Sequence, residues 1–139
     1  MLKNIIVLIL ICIKILSLYN NSFPKEEYDY LSHKIAFSNL LLMDKDEYQV
    51  LFYLESCPNC SLTLEIINKR KLYQYTNIYY IDILEVDERN KITTINNVGI
   101  SNYEEVQVNV VPLLFDIRKK IIAQIIGKDQ IIDYLELMT

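Results

Sequence analysis

Cys57, Pro58, Asn59 and Cys60 are the residues of this chain whose types and spacing could do chemistry. A Cys-x-x-Cys closes over one helical turn, so its two sulfurs can come within bonding reach with little strain. If the first cysteine opens a helix, the free N–H groups and the positive end of the helix dipole favour its thiolate. The second, three residues on and turned inward, can then attack the first sulfur and release whatever is joined to it. Cys57 would be the nucleophile and Cys60 the resolver. Two other uses of the same spacing stay open: half of a zinc site, or a structural disulfide. Zinc would need two further ligands, whereas Cys12 lies in a separate apolar segment and His33 is the only histidine. A disulfide closing so short a loop restrains little unfolded-state entropy. No metal is therefore expected, and without a Gly-rich phosphate cradle no cofactor is expected either.

The elements around the pair have to present it. Residues 48–54 (YQVLFYL) are apolar on both faces, as in a central strand covered on both sides. Pro58 suits a first helical turn, and residues 60–73 carry Leu64, Ile67 and Leu72 at helical spacing, with Lys69, Arg70 and Lys71 in the last turn. Residues 77–84 (NIYYIDIL) form a second strand, so 48–84 is long enough for a parallel crossover. Residues 87–97 are expected to be helical. Residues 109–117 and 121–126 are expected to pair as a hairpin about Arg118, Lys119 and Lys120, and Asp129 to cap a closing helix with Ile131, Ile132, Leu135 and Met138 on one face. The fold class is α/β, a mixed central sheet flanked by helices.

The chain has 139 residues, enough for one domain with a real core. It carries 14 basic and 18 acidic side chains, net charge −4, and no basic block, which argues against a nucleic-acid partner. Its 52% apolar content is uneven. Residues 1–19 read MLKNIIVLILICIKILSLY, with Lys3 ahead of an apolar run. As a helix, residues 5–19 would reach roughly 22 Å, short of a hydrocarbon core of about 30 Å. Residues 1–22 are accordingly expected to be a signal peptide or an N-terminal membrane anchor, with a buried helix or strand of the domain as the alternative. Either targeting use places the remainder outside the cytoplasm, secreted or held at the membrane. Residues 23–37 read as a linker or first elements, and 38–139 as the domain.

In this order the elements resemble the thioredoxin superfamily over residues 38–139: strand 48–54, Cys57-Pro-Asn-Cys60 opening a helix, strand 78–83, then Val111-Pro112 leading into LLFDI, IIAQIIG and a last helix. The resemblance implies a cis bond between Val111 and Pro112, placed against the active-site sulfurs, with the Val111 backbone free to pair an extended substrate beside Cys57. It further implies protein thiols or disulfides as substrates, and a second redox protein as partner. The departures are specific. Ser56 stands where typical members have a Trp, Leu51 where they bury an acid, and a position near Tyr80 where they have a lysine; Glu55 is the nearest carboxylate in sequence. Residues 83–110 are longer than in a minimal member and hold an extra loop around 99–105. A thiol-disulfide oxidoreductase is the leading reading; the other is a non-catalytic binding or accessory protein of the cell envelope. Asp82, Asp87 and Glu88 are read as a solvated loop rather than a cation site, and His33 as a surface or strand-end histidine.

Overall fold

A computed structural model describes residues 29–91 and 97–139. The segment 1–22, the first six residues of the expected linker and the middle of the helix expected at 87–97 lie outside them. No described helix is long and apolar enough to cross a membrane.

Four strands form one mixed sheet in the order β2-β1-β3-β4. They are β1 (Glu47–Tyr53), β2 (Ile78–Asp82), β3 (Leu113–Arg118) and β4 (Ile121–Ile126). β1 runs parallel to β2 and antiparallel to β3, which is antiparallel to β4. The central place of β1 follows from its composition. Tyr48, Val50 and Phe52 point into one apolar cluster, and Leu51 and Tyr53 into the other. A strand with both faces apolar is stable only when covered on both sides.

The two covers differ in kind. On the face of Leu51 lie two α-helices, α1 (Pro58–Lys69) and α2 (Lys128–Glu136), the latter burying Ile131, Ile132 and Leu135. The face of Phe52 is closed by short 3-10 turns and loops, which contribute Phe37, Leu40, Leu41, Val86, Val106 and Val108. Ring edges lock this side, with Phe52 and Phe115 4.9 Å apart and Phe37 packed on both Phe52 and Tyr103. The Tyr48 hydroxyl, buried among them, donates to the Leu40 carbonyl at 2.7 Å. Beyond β2, Lys34 makes a single parallel bridge to Tyr80 and an ion pair with Glu85, so residues before 38 also dock on the sheet.

Several element ends differ from the sequence expectation, each for a local reason. α1 ends at Lys69, not 73, because Lys71 adopts a left-handed conformation (φ 54°) that turns Leu72 into the core from a separate 3-10 turn. β2 stops at Asp82, whose carboxylate accepts the Leu84 N–H and starts a tight turn. The described part of the helix expected at 87–97 holds only the 3-10 turn Glu88–Asn90. The Asn90 carbonyl, which a helix would use within itself, accepts the Val108 N–H at 2.7 Å instead. β3 starts at Leu113 rather than 109, since Pro112 has no N–H for the ladder. The N-cap of α2 is Gly127 (φ 89°), not Asp129, which sits in the first turn beside Lys128.

Candidate active site

Cys57 is the N-cap of α1, where the chain leaves β1 and turns into the helix, and Pro58 takes the first helical position. Its backbone is extended (φ −88°, ψ 115°), which turns its side chain back over the helix start. The Cys60 backbone N–H donates to the Cys57 sulfur at 3.3 Å. This is the capping role usually filled by a Ser or Asp oxygen, performed here by sulfur. The sulfur therefore sits among the N–H groups that open α1. Cys57 is half-buried, and its Sγ lies 3.9 Å from the Val111 carbonyl oxygen.

Cys60 is different in every respect. It is 0% exposed, enclosed by a cluster containing Leu51, Tyr53, Tyr80 and Leu114. Burial pushes its thiol up to about 12, and its hydrogen bond with Cys57 adds to the rise, while a backbone hydrogen bond from Leu54 acts the other way. Glu55, the carboxylate nearest in sequence, is exposed at the end of β1 and takes no part in that shift. Both cysteines are thiols in this structure. One is presented to solvent and polarised; the other is neutral and held behind it.

The Val111-Pro112 bond is cis. Pro112 is buried, and its carbonyl accepts the Gly127 N–H at 3.1 Å, which ties this turn to the start of α2. Cys57, Cys60, Val111 and Pro112 are thus brought together, from sequence positions more than fifty residues apart. His33 is not brought to them: it is exposed, hydrogen-bonded to Ser32 and tilted against Tyr79. Asp82 caps its own turn and Asp87 pairs with Arg89. Among the described residues no group of three or more His, Cys, Asp or Glu is placed to hold a metal ion.

Two residues near the site have no counterpart in the sequence reading. Asn90 and Asn97, buried at 1% and 2% exposure, hold the backbone of residues 104–108 through their side chains. Side-chain-to-backbone bonds of this kind leave no periodicity in a sequence, and Asn90 stands between Arg89 and Lys91 as any surface residue would.

No family model and no curated protein matches the chain. Solved structures do. Mitochondrial thioredoxin 3 of Saccharomyces cerevisiae in its oxidised form superposes with a TM-score of 0.54 at 20% identity, over 76% of this chain and 92% of that one. A structure from work on the thiol resolving mechanism in yeast mitochondrial 1-Cys peroxiredoxin via glutathione/thioredoxin systems gives 0.53 at 18%, over 77% and 94%. Thioredoxin f2 of Chlamydomonas reinhardtii gives 0.51 at 19%, over 75% and 93%. At such identities the likeness is one of fold: the chain is an α/β protein of the thioredoxin fold, with a Cys-x-x-Cys pair at the head of α1.

Proposed function

We propose that this protein is a thiol-disulfide oxidoreductase acting on protein thiols or disulfides outside the cytoplasm, through Cys57 and Cys60. The observation that carries the reading is the asymmetry of the pair: a half-exposed Cys57 sulfur accepting an N–H at a helix start, and a fully buried Cys60 behind it. In the reducing direction the Cys57 thiolate attacks one sulfur of a substrate disulfide. The substrate S–S bond breaks, its departing thiolate takes up a proton, and a Cys57-substrate mixed disulfide forms. Cys60 then gives up its proton and attacks the Cys57 sulfur. The second substrate thiol leaves, and the protein retains a Cys57-Cys60 disulfide. Two electrons have passed to the substrate, and a partner dithiol must return them. Run backwards, the same steps oxidise a substrate dithiol.

The Val111 backbone beside the Cys57 sulfur supports a protein substrate, since a strand laid against it would bring its disulfide to Cys57. The location outside the cytoplasm is supported by the sequence of residues 1–22, a basic start followed by an apolar run. An uncleaved segment would hold the domain at the membrane. The second reading, a non-catalytic accessory protein of the envelope, draws on one observation: among the described residues no carboxylate acts on the Cys60 thiol.

The test is trapping. In Cys60→Ser, Cys57 still attacks but nothing resolves, so mixed disulfides with substrate proteins should accumulate and disappear on reduction. In Cys57→Ser they should be absent. Unaltered biological activity in both variants overturns the redox reading. Labelling of Cys57 in intact cells by a membrane-impermeant maleimide tests the location; labelling only after lysis would count against it.

A further inference from the structure

Residues 104–108 run towards the site without a neighbouring strand. Four of their backbone groups are met by two buried carboxamides. The Gln107 N–H donates to Asn97 Oδ1 at 2.7 Å, and Asn97 Nδ2 donates to the Gln107 carbonyl at 2.6 Å. That reciprocal pair is what one residue of an antiparallel ladder exchanges with another, here made by a side chain whose donor and acceptor are coplanar like those of a peptide. Asn90 Nδ2 donates to the carbonyls of Glu104 at 3.0 Å and Val106 at 2.7 Å, and its own carbonyl accepts the Val108 N–H at 2.7 Å.

The clasp is also anchored to the sheet. Gln124 Oε1, on β4, accepts from both Asn97 Nδ2 at 3.0 Å and the Asn97 backbone N–H at 3.2 Å, while the Gly99 N–H reaches the Ile122 carbonyl at 3.0 Å. Past Val108 the next backbone anchor is the Pro112 carbonyl, held by Gly127. Residues 109–111 therefore span two fixed points. Among the described residues they make no backbone-to-backbone hydrogen bond, Val110 is exposed, and the Val111 carbonyl lies 3.9 Å from the Cys57 sulfur.

We propose that Asn90 and Asn97 are positioning residues for an extended substrate: their buried carboxamides stand in for a missing strand and hold residues 109–111 ready to pair with a peptide backbone beside Cys57. The proposal rests on the redox reading above and deepens it: it names the two side chains on which preference for a peptide-borne disulfide over a small one depends. A pre-set strand avoids the ordering cost that a loose one would incur at each encounter.

The experiment compares two probes with the same leaving thiolate. One is an extended peptide whose single cysteine is capped by thionitrobenzoate; the other is Ellman's reagent, which has no backbone to pair. Both are mixed with the reduced full chain. In Asn97→Ala the rate at low peptide concentration should fall about tenfold, as expected when a buried backbone pair is left unmet. The loss should fall on the half-saturating concentration, with Ellman's reagent within about twofold of wild type. Amide exchange at Gln107 and Val108 should rise while that of α1 is unchanged. Gln124→Ala removes only the anchor on β4 and should give a smaller loss of the same peptide-selective kind, which keeps the test decisive if Asn97→Ala does not fold. Equal losses on both probes, or no loss on either, overturn the positioning role alone. Wild-type protein inert to both probes overturns the redox reading, and this role with it.

Discussion

On the proposed redox reading, the second step belongs to Cys60. As a resolver it must act as a thiolate, yet burial holds its thiol up to about 12, and among the described residues no carboxylate acts on it. In a mixed disulfide the Cys57 thiol is consumed, so its share of the rise is lost while the larger cause, burial, stays. The thiolate fraction of a group titrating far above ambient pH grows about tenfold per pH unit. Release of substrate from a pre-formed Cys57 mixed disulfide should therefore accelerate by nearly that factor per unit from neutral pH to about pH 9. Thionitrobenzoate release after a pH jump, from a Cys57–thionitrobenzoate disulfide formed at low pH, would measure it; a flat profile would mean that another group takes the Cys60 proton. The pair itself was legible in the sequence, because two cysteines three apart need only a helix start to acquire unequal roles. The depth of Cys60 was not, since it depends on α1 and α2 packing together over Leu51 and Leu114.

At the scale of elements, legibility followed periodicity. All four strands announce themselves by apolar, β-branched and aromatic runs, and α1 by Pro58 and the spacing of Leu64 and Ile67. Ends decided by one side chain or one φ angle did not: Lys71 breaking α1, Asp82 closing β2, Gly127 rather than Asp129 starting α2. Residues 87–97 misled because Asn90 spends its hydrogen bonds on a distant segment, a tertiary choice that overrides local preference. The hairpin between β3 and β4 shows the same limit. Its position was clear, yet both central residues, Lys119 and Lys120, have positive φ (50° and 65°). That two-residue geometry matches strand twist but favours Asn-Gly. Lys120→Gly should raise stability by about 0.5–1 kcal/mol, and Lys119→Asn by a similar or smaller amount, with the Lys119 N–H bond to Asp46 kept. Urea denaturation would detect this as a higher midpoint at unchanged slope; a lower midpoint for Lys120→Gly would show that the turn carries no strain.

For the whole molecule the central question is what fixes register in a sheet whose middle strands are apolar on both faces. Sliding β1 against β3 by one residue would exchange the contents of the two clusters, and apolar matching alone penalises that weakly. Gln49 and Asp116 are directly opposed across these strands, both nearly fully buried, with Gln49 Nε2 donating to Asp116 Oδ1 at 2.8 Å. The other carboxylate oxygen receives Arg118 Nε at 2.9 Å, and Arg118 also reaches the Tyr134 hydroxyl on α2. Burial raises the Tyr134 hydroxyl and the Asp116 carboxylate raises it further, while the partly exposed Arg118 opposes both. One slip would leave the Gln49 amide and the Asp116 carboxylate in separate apolar layers, each without a partner. Asp116→Leu alone should therefore cost about 1–3 kcal/mol, because it strands the buried Gln49 amide and leaves Arg118 to solvent. Adding Gln49→Leu should recover most of that loss, since a matched apolar pair can replace a buried polar one with little net change. The polar pair would then contribute register rather than stability, and denaturation of the three variants in a double-mutant cycle separates the two. A double variant as unstable as the summed single changes would show instead that the Gln49–Asp116 bond stabilises nothing beyond its separate side chains, and the choice of register would pass to the hairpin turn and the unequal covers of the two faces.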